Sequence, residues 1–238
     1  MAALAALGER MPRHASLLSI LKEQGYRLDY YSGPNLEFDN QGAFLRTEGV
    51  DALFSDRDFA APYQRSGYWG YANRDLVENA LRLQGERRAA QPRRPTLSIT
   101  QTITMHDPFE FPQRDAYRDK IGKRLADLGI PASANPGYTR RRGIFASILY
   151  TDDALRLYFD KAARLPGYDN TIFIVTGDHR LPDLPMDTRI GRCHVPLIVY
   201  SALLKEPRAI KAVSSQFDSA PSLLSFLAHG YGIRTRQT

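Results

Sequence analysis

The apolar positions of this 238-residue chain follow two periods, and the places where one gives way to the other outline its elements. Thr96 to Met105 alternates: Leu97, Ile99, Ile103 and Met105 share one face, with Ser98, Thr100, Thr102 and Thr104 on the other. A period of two predicts a strand. The runs Ile172 to Val175 and Val195 to Tyr200 are apolar without interruption between turn signals. That is the pattern of strands buried on both faces of a parallel sheet. Shorter strand patterns cover Tyr26 to Ser32 and Val50 to Phe54.

Helical spacing takes over elsewhere. From Gly143 to Leu165, the residues Ile144, Ile148, Leu155, Phe159 and Ala162 fall on one side, with Asp153 opposite. Leu76, Val77, Ala80 and Leu81 form the stripe of a helix that Asn73 caps and that runs to about Gln84. Ser16 caps a short helix over Leu17 to Gln24, ended by Gly25. A further helix is expected over Tyr117 to Leu128, preceding a loop over 130–137. The last helix is expected to start at Asp218 or Ser219, with Pro221 in its first turn, and to end at Gly230. Phe38 to Leu45 leads from a polar loop into a short helix that Asp39 or Asn40 can cap. Met1 to Leu7 reads as the tail of a helix, and Ala89 to Pro95 as a surface connector. Strands alternating with helices predict an α/β fold with a mainly parallel sheet, taken as a single domain over 1–238.

Composition narrows the class only slightly. The 43% apolar and 24% charged residues are those of a globular protein, and the formal charge of +6 favours anionic partners. Cys193 stands alone, so neither a disulfide framework nor a cysteine-based zinc site can form within the chain. No window reaches the length of a membrane span, and Met1 to Leu7 lacks the basic flank of a signal peptide. Arg140, Arg141 and Arg142 sit at the start of the long helix, where the helix dipole disfavours positive charge; a solvated loop, an anion or a membrane surface each accounts for them. A nucleic-acid-binding role rests on charge alone and ranks last, since no recognition signature accompanies it.

The chemistry concentrates at the ends of the expected strands. Asp178 and His179 follow one strand after Gly177, His106 follows another, and Asp39 with Asn40 a third. Parallel strands would bring all three sets to one carboxyl-end rim, where open α/β sheets bind ligands. A carboxylate beside an imidazole suits a divalent ion such as zinc or manganese, although two ligands do not complete a site. His106 can donate to an oxyanion. Asp39 and Asn40 either cap their helix or face a ligand.

At these residues the chain resembles the sulfatase-like enzymes of the alkaline-phosphatase superfamily, most of all the lipoteichoic acid synthase and phosphoglycerol transferase branch. Tyr168-Asp169-Asn170-Thr171 through Gly177-Asp178-His179, followed by His194-Val195-Pro196-Leu197, carries the resemblance. Thr104-Met105-His106-Asp107-Pro108-Phe109, Tyr150 to Leu155, Ser215-Gln216-Phe217-Asp218, Gly25-Tyr26, Gly33 and Phe38-Asp39-Asn40 extend it in order. The resemblance implies an α/β/α sandwich, alkaline-phosphatase-like, of which this chain is the C-terminal portion. It implies a metal-dependent phosphotransferase or hydrolase of phosphate esters, phosphoglycerol or related head groups, acting outside the cytoplasm. Asp178 and His179 carry over as ligands of one divalent ion (manganese, zinc, magnesium or calcium), and His106 as the head-group histidine. Asp39 and Asn40 carry over as substrate-facing. The implied partner is an anionic phosphate- or sulfate-bearing substrate, lipid-linked in this branch, with the membrane reached through a segment before Met1 and no nucleic acid.

Two departures temper that reading. The family's threonine or serine nucleophile and a further acidic ligand are expected upstream of Met1, so the chain alone is expected to be inactive. Where the family usually places glycine after the Asp-His pair, this chain has Arg180. The alternative is a truncated or degenerate relative that binds an anionic lipid or glycan head group without turning it over.

Overall fold

The computed structural model describes residues 14–59, 62–63, 65–130 and 136–234. The helical tail expected at Met1 to Leu7 and positions 131–135 of the expected loop lie outside the described residues. In chain order the elements are α1 (Leu17–Glu23), β1 (Arg27–Ser32), a 3-10 turn (Phe38–Asn40), α2 (Gln41–Thr47), β2 (Ala52–Phe54) and α3 (Asn73–Ala90). There follow β3 (Thr96–Gln101), α4 (Arg114–Asp127), α5 (Pro136–Arg140), α6 (Arg142–Ala162), β4 (Phe173–Thr176), β5 (Leu197–Tyr200) and α7 (Gln216–Tyr231). They divide into two compact units, 1–103 with 210–238, and 104–209.

In the first unit β1 lies between β2 and β3, parallel to both, in the order β2-β1-β3. Every residue of β1 is buried, and its alternate side chains feed two cores. Leu28 packs with Leu21, Leu224 and Leu227, while Tyr30 packs with Leu36 and Leu45, so α1, α2 and α7 cover one face. Tyr31 packs with Leu76 and Ala80, placing α3 on the other face, and its ring stacks on Phe54 at 5.1 Å. Within this unit the layers are therefore helix, sheet, helix.

The α3 face also buries charge. The Asp29 side chain has no exposed surface, and it is met from both sides. Arg27 Nε donates to Oδ2 at 2.9 Å and Arg87 Nη2 to Oδ1 at 2.7 Å, while Arg27 Nη1 donates to the Arg87 carbonyl at 2.7 Å. This pairing explains a correction to the sequence reading. Helix α3 runs on to Ala90 rather than stopping near Gln84, and the extra turns carry Arg87 to Asp29. Asn73 does not cap α3. Ala72 holds that position, and the buried Asn73 instead accepts the Ile103 N–H at 2.9 Å. That bond draws the chain out of the sheet, which is why β3 ends at Gln101 rather than Met105.

The helix ends show where local chemistry decides. Ser16 closes a capping box with Ser19 at the start of α1, as expected from its position. Helix α7 starts earlier than expected: Ser215 is its N-cap and donates its own N–H to Asp218 Oδ2 at 2.7 Å, and Pro221 lies inside the helix. It also ends later, at Gly232 with φ +66°, so Gly230 is helical.

In the second unit, α4 packs on α6 through Phe111, Tyr117 and Tyr150, with ring centroids 4.7–5.8 Å apart. Tyr117 Oη donates to Asp153 at 2.8 Å. The buried face of α6 is Ile144, Ser147, Tyr150, Thr151 and Ala154; Ile148, expected inside, is exposed, because the aromatic contacts rotate the helix about its axis. Pro136 and Gly137, expected in a loop, belong to α5. The largest correction concerns β4 and β5. They pair with each other and antiparallel, and Ile174, Leu197, Ile198, Val199 and Tyr200 are exposed. An apolar run marks a strand; it does not dictate its neighbours. Phe159 of α6 meets Phe173 and Tyr200 edge-on at 5.2 and 5.7 Å.

Two predictions follow from the first unit. Asp29→Ala leaves two buried or half-buried guanidiniums uncompensated and is expected to lower stability by about 3–5 kcal/mol in urea unfolding; a loss under ~1 kcal/mol would mean the pairing is not structural. Asp51 is held below the usual carboxylate range: burial raises it, but hydrogen bonds from Lys22 and the Leu28 N–H, with the charges of Lys22 and Arg94, outweigh that. A depressed pKa adds stability that is present above the unfolded-state value and lost as pH falls through the folded one. Asp51→Asn is therefore expected to flatten the decline of melting temperature below about pH 4 while lowering the neutral-pH value.

Candidate functional site

Gly177 ends β4 and admits a tight exit. A Cβ there would lie 3.1 Å from the His179 carbonyl and 3.2 Å from Val195 Cγ1. The two residues that follow are exposed, Asp178 by 70% and His179 by 61% of their side chains. Asp178 Oδ1 accepts the His179 N–H at 2.9 Å, which orients the carboxylate across the turn. His179 Nδ1 lies 2.7 Å from the Arg180 carbonyl. A carbonyl only accepts, so Nδ1 carries the proton and the neutral ring presents the Nε2 lone pair. That Nε2 lies 3.7 Å from Asp178 Oδ2.

These donors fit a divalent ion. Zinc-type bonds to nitrogen and oxygen are about 2.0–2.2 Å, and two such ligands on one ion sit ~3.5 Å from each other at a tetrahedral angle. The hydrogen-bonded Nδ1 also supplies the outer contact that metal-ligating histidines use to fix their ring. Among the described residues no three His, Cys, Asp or Glu side chains come close enough to share an ion. The pair could supply two ligands of an ion, and the described residues offer no third beside them.

His106 lies in the same unit, in the segment after β3. Its Nδ1 is 2.9 Å from the Asp107 carbonyl, so it too is protonated at Nδ1. The structure does not bring His106 into a metal-binding group with Asp178 and His179 among the described residues.

Asp39 and Asn40 belong to the first unit, beyond the carboxyl end of β1. Neither makes a side-chain cap for α2, and both hold left-handed backbone, φ +51° and +54°. Asn40 thus stands at the N-cap position of α2 without capping it through its side chain. Two adjacent non-glycine residues in this region need support from outside. Gln41, next in the chain, supplies it by donating Nε2 to Tyr30 Oη at 2.9 Å and to Gln101 Oε1 at 3.0 Å. Tyr30 Oη in turn donates to Gln101 Oε1 at 2.6 Å, tying the turn to β1 and β3. Close by, Gly33 and Gly70 approach so tightly that a Cβ on either would lie 2.4 Å from a main-chain oxygen. The loops they join carry Phe38 and Trp69, in edge contact at 5.6 Å, and the exposed Tyr68. Sequence reasoning missed Gln41; a polar residue facing two strand ends leaves no periodic signal.

The sequence profile of the sulfatase family matches residues 2–229. The chain belongs to the sulfatase family. Among curated proteins this sulfatase-family chain is 25% identical over 181 residues to phosphoglycerol transferase I of Escherichia coli strain SMS-3-5, covering 74% of this chain and 22% of that enzyme. The Citrobacter koseri enzyme of the same name is 24% identical over 180 residues, with the same coverage. The chain thus spans about a fifth of the length of these relatives. Among solved structures, a protein of the alkaline phosphatase superfamily from Vibrio parahaemolyticus superposes with TM-score 0.73 at 26% identity, covering 94% of this chain and 50% of that one. The lipoteichoic acid synthase LtaP from Listeria monocytogenes gives TM-score 0.73 at 18% identity, covering 93% and 53%. The alkaline-phosphatase-like α/β fold expected from the sequence is borne out.

The left-handed turn gives a direct check. Asp39→Val, whose branched Cβ disfavours positive φ, is expected to lower stability by about 1–3 kcal/mol. Asp39→Gly is expected to stay within ~1 kcal/mol of the parent. Equal unfolding midpoints for the two variants would show that the turn does not hold this conformation in solution.

Proposed function

We propose that residues 1–238 are part of one catalytic domain of a metal-dependent phosphotransferase or phosphohydrolase that acts on phosphate esters. Phosphoglycerol or a related anionic head group, lipid-linked and outside the cytoplasm, is the favoured substrate class. The observation that carries this reading is the Asp178–His179 pair, a carboxylate oxygen and an imidazole lone pair 3.7 Å apart just past a strand end, in a chain of the sulfatase family.

Each residue then has a task. Asp178 Oδ2 and His179 Nε2 hold a divalent ion, which when bound would polarise a phosphoryl oxygen as a Lewis acid. His106, with Nδ1 already committed to a carbonyl, offers Nε2 to a phosphate oxygen, donating when protonated. Asp39 and Asn40, in strained turn geometry in the first unit, are the residues that the family resemblance makes substrate-facing. The hydroxyl nucleophile and the remaining ligands are taken from outside residues 1–238. The exposure of the pair and the absence of a third donor among the described residues favour a second reading, a head-group-binding relative without turnover.

Titration of the chain with manganese or zinc, followed calorimetrically, tests the site. Asp178→Ala and His179→Ala are each expected to weaken binding by more than about tenfold; unchanged affinity in both removes the assignment. Release of glycerol phosphate from a phosphoglycerol lipid by the complete gene product, abolished by the same substitutions, separates the catalytic reading from the binding one. Metal-dependent lipid binding with no release would establish the second.

A further inference from the structure

Arg180 occupies the position after the Asp-His pair, and its contacts give it a task there. Its Nη2 donates to the carbonyls of Leu184 and Pro185, the latter at 3.0 Å. From the other side Arg141, the N-cap residue of α6, donates Nε to the Asp183 carbonyl at 3.0 Å and Nη1 to the Gly137 carbonyl at 3.3 Å. Two half-buried guanidiniums thus hold three successive main-chain carbonyls, 183 to 185. The Leu184 N–H adds a turn contact to the Leu181 carbonyl at 3.4 Å. The segment these bonds close begins at Arg180, and the Arg180 carbonyl is the acceptor that fixes the His179 ring.

We propose that Arg180 and Arg141 are positioning residues that, by closing the 180–185 loop, hold the Arg180 carbonyl against His179 Nδ1 and so keep the Nε2 lone pair available to a metal ion. The proposal rests on the reading of Asp178 and His179 as ligands, and it deepens that reading. Which ring nitrogen binds metal is set by the bond the other makes. A neutral imidazole that loses its Nδ1 acceptor shifts its proton toward Nε2, the nitrogen that must be bare. Guanidinium-to-carbonyl bonds are charge-assisted, and the planar fork reaches two acceptors at once, which an ammonium group does with less definition. The basic run at 140–142 thereby gains a purpose in part: Arg141 closes this loop, and its charge at a helix start is offset by two carbonyl dipoles.

Long-range proton–nitrogen spectra of the metal-free 238-residue chain, labelled at histidine and recorded where the ring is neutral, read the tautomer directly. The parent is expected to show His179 protonated at Nδ1. Arg180→Ala and Arg141→Gln are expected to shift it toward Nε2–H and to weaken manganese or zinc binding by about 10–100-fold, with melting temperature little changed; Arg180→Lys is expected to fall between. An unchanged tautomer in Arg180→Ala and Arg141→Gln overturns the proposal, even if Asp178→Ala abolishes metal binding. Conversely, a shifted tautomer alongside metal affinity indifferent to Asp178→Ala upholds the loop's hold on His179 and overturns the ligand reading instead.

Discussion

The buried carboxylate of Asp29 constrains the first unit more than any apolar contact. A charge without exposed surface in the middle strand is tolerable only if it is matched on both oxygens, and here Arg27 and Arg87 match it. Arg87 can do so only if α3 continues past its apolar stripe, so the length of α3 and the start of β3 are set together. The Arg27 N–H bonds the Pro95 carbonyl at 2.8 Å, and Arg27 aligns with Thr96, which fixes the register of β3 on β1. With that register Ser32 lies beside Gln101, and both strands end level. The turn bearing Asp39 and Asn40 is hung from that edge by Gln41, Tyr30 and Gln101. The turn bearing Asp39 and Asn40 thus inherits its placement from an ion pair at the other end of the strand.

Much of this was legible in the residues, for identifiable reasons. Ser16, Gly25 and the stripe of Leu76, Val77, Ala80 and Leu81 act through contacts a few residues apart, so local sequence carries them. Asn73 was misread because its partner, the Ile103 N–H, lies thirty positions away. The same holds for α3, extended by a carboxylate in a different strand, and for α6, rotated by rings from the 111 and 117 positions. The Ser215 cap was overlooked although its capping box with Asp218 is local; Pro221 drew attention as a start signal and sits within the helix.

For the candidate site, adjacency was readable and geometry was not. Asp178 and His179 next to each other after glycine pointed to a cation, and the order of motifs pointed to the sulfatase family, which the family profile supports across residues 2–229. What no sequence pattern expresses is the protonation of the ring. It depends on a main-chain oxygen whose position is decided by residues 137 and 183 to 185. The antiparallel pairing of β4 with β5 was equally hidden, since a run of β-branched residues has the same appearance in either sheet type.

The arginines around Asp29 and those beside the Asp178–His179 pair are engaged differently, and the contrast bears on metal chemistry. In the first unit, two guanidiniums grip one buried carboxylate, a triad that stiffens the sheet and keeps one positive charge in excess. In the second, Arg141 and Arg180 are engaged by carbonyl oxygens. Carbonyl dipoles stiffen a loop through charge-assisted bonds, each about 1.5–3 kcal/mol in net terms and less where solvent reaches them. A carboxylate in the same role would do more: it would stand beside Asp178 as a competing ligand for any cation and as a like charge repelling its oxygens. Holding the loop with main-chain oxygens avoids both effects. The turn that follows the Asp-His pair is thus anchored by Arg180 to main-chain oxygens, which add no carboxylate to compete with the proposed ligands.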